Sequence, residues 1–367
     1  MDITKRIDIN LGYTCNADCP FCYYKLSKQV KQKKKDLTTF EAKRLLCYIK
    51  KKGKEIVDFT GGEPTIREDI FELVAFAKRL GFTEISIITN GLKLADKNFL
   101  KNLVAAGVND ILFSVHGYTS EMHDELVGVQ GAFEKLTHAM NNAKQIGTLR
   151  MRSNTVVNGL NFKYVFEITE LLHSLGVQHV NFILFNPIVE AVCVEKEVNV
   201  RYSEASPYLK QALDAFQDKF ERITIRYLPF CFLPGYEEHI TECPQIQYDP
   251  FEWDYLVRMR IRNGILLSSL ATLIGLLLLP NVKRIVALPI PILLREAIMR
   301  GLSFKNKVKG NACRQCAFDY ICDGLWREYA KRNDFAELRS IPGKKIIDPV
   351  YFLRTKDQGG IQWKIKR

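Results

Sequence analysis

The sequence lacks an export signal. Its first residues, MDITKRIDINLGYTC, contain no apolar core and place Lys5 and Arg6 early. A secreted disulfide framework is therefore not the reading for its ten cysteines; a reducing, cytoplasmic setting is expected, where clustered cysteines mean metal or redox chemistry. It also lacks an apolar run of bilayer length. The stretch Ile265–Leu279 has 15 residues, against about 20 for a spanning helix. Negative charge is in short supply: 41 acidic residues face 53 basic ones, a net charge of +12. That balance favours anionic partners without choosing among them. No exact internal repeat is visible. What remains is ordinary, with 47% hydrophobic and 26% charged residues over 367 positions. This composition excludes wholesale disorder and suits two domains, or one α/β barrel with an appendage.

The first two thirds alternate strand and helix signals. β-Branched runs predict strands at Ile7–Leu11, Ile56–Thr60, Glu84–Thr89, Asp110–Val115, Leu149–Val157 and His179–Phe185. Helical patterns fall at Thr38–Lys52, Glu68–Leu80, Lys97–Ala106, Ala132–Ile146, Phe162–Leu175 and Glu204–Phe220. Thr38 and Glu41 have capping-box spacing, and Gly81, Gly107, Gly147 and Gly176 sit at helix ends. Six βα units predict an α/β fold, a partial (β/α)6 TIM-like barrel or an open sheet, over residues 1–225. A smaller cysteine-rich domain over 226–367 follows, with an apolar insertion at about 264–302. In such folds chemistry gathers at the C-terminal ends of the strands.

The sharpest motif lies at the first such end: Cys15-Asn-Ala-Asp-Cys19-Pro-Phe-Cys22. Three thiolates on a short loop can hold an iron–sulfur cube and leave one iron open. A zinc knuckle is the plainer alternative, although zinc spacings pair two close ligands with a distant pair.

With Gly61-Gly62-Glu63-Pro64 after the second strand, Thr89-Asn90-Gly91 after the third, Ser114-Val115-His116-Gly117 after the fourth and Arg152–Val157 on the fifth, the chain resembles the radical S-adenosylmethionine (radical SAM) enzymes over residues 5–225. The resemblance implies that Cys15, Cys19 and Cys22 hold a [4Fe–4S] cluster whose open iron chelates S-adenosylmethionine. One electron then cleaves the cofactor to methionine and a 5′-deoxyadenosyl radical. It implies that Gly61, Gly62 and Glu63 meet the cofactor's amino group and that Phe21 touches adenine. Thr89, Asn90 and Ser114 would contact methionine or ribose, and Arg152 the carboxylate. Phe182–Phe185 could flank adenine or simply fill the core. His116 is a candidate general acid or base, or a structural histidine.

Cys313-Arg-Gln-Cys316, five residues and then Cys322-Asp-Gly324 resemble the start of a SPASM or twitch extension, which carries auxiliary clusters. No cysteine follows Cys322, so one auxiliary cluster is expected, on Cys313, Cys316, Cys322 and Cys231. Cys243 is the alternative fourth ligand or a substrate-facing catalytic thiol. A zinc site on four of these cysteines stays open. Cys47 and Cys193 are read as bystanders.

The apolar insertion has three readings: a buried helix, a peripheral membrane contact with Arg258, Arg260, Arg262, Lys283 and Arg284 at anionic headgroups, or a tunnel for a lipid-like substrate. Lys25–Lys35 reads as a solvated loop or a docking patch for an acidic partner. Its lack of interleaved aromatics argues against nucleic acid. The resulting expectation is a radical SAM enzyme served by a flavodoxin- or ferredoxin-type reductant. Its expected substrate is a ribosomally made peptide or protein, which it oxidises, crosslinks or epimerises. The first barrel strand begins almost at Met1, so no separate peptide-recognition domain is expected ahead of it. The alternatives are a small-molecule or lipid-like substrate, or a non-catalytic scaffold.

Overall fold

The computed structural model describes residues 4–22, 35–186, 196–246, 249, 252–254, 257, 258, 261, 273, 297, 306–349, 351 and 352. Lys25–Lys34 and Cys193 lie outside the described residues, as does the apolar insertion except for Leu273 and Ala297. Among the described residues no helix is long and apolar enough to cross a membrane.

Six parallel strands appear where β-branched alternation placed them: β1 (Arg6–Asn10), β2 (Ile56–Thr60), β3 (Glu84–Thr89), β4 (Asp110–Ser114), β5 (Arg150–Val157) and β6 (His179–Leu184). Two more extend the sheet, β7 (Arg222–Arg226) and the two-residue β8 (Ile240–Thr241). The strands lie in chain order from β1 to β8, as in a partial α/β barrel. One face of the sheet buries apolar side chains, with Ile7, Ile9, Val57, Phe59, Ile87, Phe113, Val180 and Phe182 all at most 1% exposed, and the other buries polar ones such as Asp58, Ser86, Asp110 and Arg152. This is why the strands read as apolar–polar alternation.

The helices are α1 (Thr39–Lys51), α2 (Ile70–Arg79), α3 (Lys97–Ala106), α4 (Ser120–Val127), α5 (Ala132–Ile146), α6 (Val165–Ser174) and α7 (Tyr202–Phe216). Thr38 caps α1 through a complete capping box with Glu41. The sequence reading missed α4, a second helix in the crossover from β4 to β5. Its cues were local: Thr119 accepts a hydrogen bond from the Met122 amide at its start, and Gly128 ends it with φ 66°.

The chain divides into two compact units. One is Lys5–Thr224; the other joins Met1–Thr4 to Ile225–Arg367. In the second, β9 (Lys307–Val308) pairs antiparallel with β10 (Leu325–Trp326).

Candidate functional site

The loop that leaves β1 carries Cys15, Cys19 and Cys22, none of them in a disulfide and all partly exposed. It is gripped from several sides. The Gly62 amide donates to the Gly12 carbonyl at 2.9 Å, and the Glu63 amide to Thr14 at 2.9 Å. Asp36 accepts from the Tyr13 and Thr14 amides at 2.6 and 3.3 Å. Arg67 donates to the Leu11 and Leu37 carbonyls at 3.1 and 2.9 Å, while Asp69 holds its fork by two bonds of 2.8 Å. The Asp18 amide reaches Val127 of α4 at 2.8 Å. Burial pushes the Cys19 thiol up to about 12, helped by the charges of Cys22 and Cys15. Three sulfur donors on one short loop, with Cys19 largely buried beside the other two, are a donor set that an iron–sulfur cluster takes. The donor set therefore fits a cluster. Among the described residues, no three His, Cys, Asp or Glu side chains are grouped at the spacing of one bound ion.

An apolar wall stands beside this loop. Phe21, Leu126, Phe185 and Val198 form a buried cluster, with Cys19, Met122, Val156 and Leu160 packed against it. Phe21 and Phe185 were named from sequence; Leu126 of α4 and Val198 were not, since an isolated Leu or Val carries no local signal. Phe182 and Phe185 are both buried in the core.

Glu63 is the hub of the strand ends. It is 3% exposed, and one carboxylate oxygen accepts from the Thr65 amide at 3.0 Å, the Thr65 hydroxyl at 2.6 Å and the Thr89 hydroxyl at 2.8 Å. The other accepts from the Asn90 amide at 2.7 Å. Burial raises its carboxyl above the ordinary range despite these donors. Asn90 continues the chain to Asn16 at 2.8 Å, back on the cysteine loop. Gly61, Gly62 and Glu63 were expected to meet a cofactor's amino group; in the structure both Glu63 oxygens and the Gly62 and Glu63 amides have partners within the chain. The glycines have the same explanation. A Cβ at Gly61 (φ 138°) would lie 2.6 Å from the Gly12 carbonyl oxygen, and one at Gly62 would overlap that of Thr14. Thr89 is likewise buried on Glu63, whereas Ser114 ends β4 partly exposed beside Asn154.

Two expectations need correction. Arg152 does not stand open for a carboxylate ligand. Its guanidinium bonds Asp110 at 2.9 Å, Asp58 at 3.2 Å and Ser86 at 3.0 Å, inside the sheet. Burial disfavours its charge, but Asp110 and Asp58 outweigh that and hold it above the usual arginine range. Arg6 joins the group through Asp58 at 2.5 Å, Glu84 and Asp110. A third-position strand arginine reads like a ligand contact because sequence does not show which carboxylates neighbouring strands bring level with it.

His116, read as a general acid or base or as a structural histidine, is 4% exposed and lies edge-on to Phe21 with ring centroids 4.7 Å apart. Its Nδ1 accepts from the Val156 amide at 3.3 Å, while its own amide donates to His123 Nδ1 at 3.3 Å. Burial pushes it down to about 3, with His123 adding to the shift, and His123 itself to about 4. It is a neutral, packed imidazole and not a proton donor at neutral pH. Unfolded histidine titrates near 6.5, so the unfolded chain binds more protons between these values and stability falls as pH falls through that window. The expected loss is on the order of 1 kcal/mol per histidine per pH unit below about 6.5. Denaturant unfolding at stepped pH checks it, and His123→Asn should flatten the slope.

In the second unit, Cys231, Cys313, Cys316 and Cys322 line one small cavity, with Phe230, Phe318, Lys309 and Arg339 around them. Burial pushes the Cys231 thiol up to about 11, and the charges of Cys313 and Cys316 add to it. Burial, then Glu242 and more weakly Cys231, raise Cys322 further. Four cysteines lining one cavity are a donor set that an iron–sulfur cluster takes. A C-terminal strap closes over it: Ala317 and Ile341 bond at 2.7 Å, Ile346 and Ala317 at 2.8 Å, and Lys345 donates to the Arg314 and Cys316 carbonyls at 2.7 and 2.9 Å. Cys243 opens a short helix, Cys243–Ile246, but its side chain lies outside the described residues. Cys47 sits on α1, apart from both groups.

Residues 9–172 match the family model described as the radical SAM superfamily. Over that stretch the chain is similar to the radical SAM superfamily. Its members work with a [4Fe–4S] cluster and S-adenosylmethionine, which the cysteine loop of this chain has the donors to accommodate. Among curated proteins, the chain is 32% identical over 193 residues to a probable GTP 3′,8-cyclase of Saccharolobus islandicus, covering 50% of this chain and 58% of the relative. It is 30% identical over 223 residues to an AdoMet-dependent heme synthase of Oleidesulfovibrio alaskensis, covering 61% and 55%. The chain thus spans little more than half the length of these relatives. Among solved structures, native anSMEcpe with bound AdoMet superposes with a TM-score of 0.50 at 21% identity, covering 60% of this chain and 64% of that one. That likeness concerns the fold.

Proposed function

We propose that this chain is a radical SAM enzyme with two iron–sulfur sites: a catalytic cluster on Cys15, Cys19 and Cys22, and an auxiliary [4Fe–4S] cluster on Cys231, Cys313, Cys316 and Cys322. The convergence of four cysteines from two distant segments on one cavity carries the second assignment. When bound, the catalytic cluster and S-adenosylmethionine supply a one-electron cleavage that yields a 5′-deoxyadenosyl radical able to abstract hydrogen from a substrate. The protein's own part is positional. Glu63, through Thr65, Thr89 and Asn90, fixes the strand ends around the cysteine loop. Phe21, Leu126, Phe185 and Val198 keep water from the side where Cys19 lies.

The proposed substrate is a ribosomally made peptide or protein, a reading supported by the CxxC…C resemblance to SPASM and twitch extensions. The curated relative named as a GTP cyclase favours a second reading, a nucleotide substrate. Reconstituted protein should contain about eight iron per chain and form 5′-deoxyadenosine with dithionite. About four iron with one zinc would replace the auxiliary cluster by a structural metal. GTP should be left intact, and a short peptide encoded beside the gene should lose a pair of hydrogen atoms or take up solvent deuterium. Conversion of GTP with an unchanged peptide reverses the substrate assignment.

A further inference from the structure

Helix α1 presents a face that the catalytic reading does not use. Phe40, Arg44 and Tyr48 recur every fourth residue on its exposed side, and Lys51 and Lys52 continue it. Phe40 is 68% exposed and Tyr48 37%, which makes them two of the few large apolar side chains left to solvent among the described residues. Cations flank both rings: the Arg44 guanidinium is 5.7 Å from the Phe40 centroid, and Lys52 Nζ 5.4 Å from that of Tyr48. Glu41 is the lone acidic residue of the helix, and its carboxylate is turned back onto Thr38. The face runs about 18 Å along the helix.

Its upper end is tied to the cysteine loop. Leu37, three residues before Phe40, donates to Leu11 at 2.9 Å, and Asp36 holds the amides of Tyr13 and Thr14 directly before Cys15. A carrier docked on the first turns of α1 therefore stands beside the loop that holds the proposed catalytic ligands. That reaction consumes one electron from outside the chain.

We propose that the α1 face is the docking surface for an acidic one-electron carrier protein of the flavodoxin class. The inference rests on the proposed catalytic reading and adds the partner's place. Arg and exposed aromatics are the side chains that anchor protein interfaces, and a basic rim attracts an acidic carrier over a distance. Electron-transfer encounters need only a small contact area, which one helix face supplies. The transfer balances: the anionic flavin hydroquinone gives up one electron and becomes the neutral semiquinone, while the cluster gains that electron.

The test uses anaerobically reconstituted holoenzyme and two variants, Arg44→Glu/Lys51→Glu/Lys52→Glu and Phe40→Ser/Tyr48→Ser. Binding of oxidised flavodoxin is measured by titration calorimetry, and cluster reduction by flavodoxin hydroquinone is followed in a stopped-flow cell. Both variants should bind at least about tenfold more weakly and be reduced correspondingly more slowly, and wild-type affinity should fall as salt rises from about 50 to 300 mM. Iron content and dithionite-driven 5′-deoxyadenosine formation should match wild type. Unchanged flavodoxin binding in the charge-reversed variant overturns the proposal. So does flotation of wild type, but not the variant, with phosphatidylglycerol vesicles while flavodoxin binding is unaltered, since the face then serves a membrane. A wild type that makes no 5′-deoxyadenosine with dithionite defeats the catalytic reading instead, and calorimetry still scores the docking surface on its own.

Discussion

Replacing Cys15, Cys19 and Cys22 together with alanine is expected to abolish 5′-deoxyadenosine formation while leaving the fold intact. The three side chains lie on a loop whose backbone is held by Gly62, Glu63, Asp36, Arg67 and Asn90 through its neighbours, none of which needs a cysteine sulfur. Removing the thiols thus removes donors without removing the grip. Cys19 is the most telling single position. Its thiol is pushed up to about 12 by burial and by its two companions, so without metal it holds its proton. Cys19→Ser keeps the shape but offers a far poorer donor to iron. The triple variant should retain about four of about eight iron per chain, those of the auxiliary site. Iron analysis, electron paramagnetic resonance after reduction and product chromatography check this together. Normal cleavage by the triple variant would refute the assignment of the site.

Arg152→Leu is expected to destabilise the Lys5–Thr224 unit by about 3–5 kcal/mol, the usual cost of removing one partner from a buried ion group. The guanidinium bridges Asp58 and Asp110, both fully buried, and Ser86. Its loss leaves carboxylates on three strands with only Arg6 to share. For a unit of this size the melting temperature should fall by roughly 10 °C. Adding Asp110→Asn to the variant should recover part of the loss, since one of the stranded charges goes with it. Thermal unfolding of the four members of this cycle gives the answer. A single variant within about 0.5 kcal/mol of wild type would show that the network is not what holds the sheet's interior charges.

Arg152 also shows where sequence reasoning stops. β2 to β6 were readable because each strand is short and β-branched with apolar residues on alternate positions, and α3 and α5 because amphipathic periods end at glycine. The cysteine loop was readable because spacing alone brings three sulfurs together. The partners of Arg152, Glu63 and His116 were not, because each depends on register between strands tens of residues apart. Arg152 meets Asp58 and Asp110 only once β2, β4 and β5 are laid side by side. Cys231 could be counted as a fourth thiol, but its place beside Cys313 depends on how the second unit packs. The basic-aromatic face of α1 was hidden by the same limit: periodicity marks a helix's buried stripe and leaves open whether its outer side is covered.

The stitching of the β1 exit loop bears on the life of the protein in air. Hydrogen bonds from separate chain segments shape that loop without running through a cysteine sulfur. A cubane destroyed by oxygen would therefore leave behind its own mould, and rebuilding it would require only fresh iron and sulfide, with no refolding of the polypeptide around them.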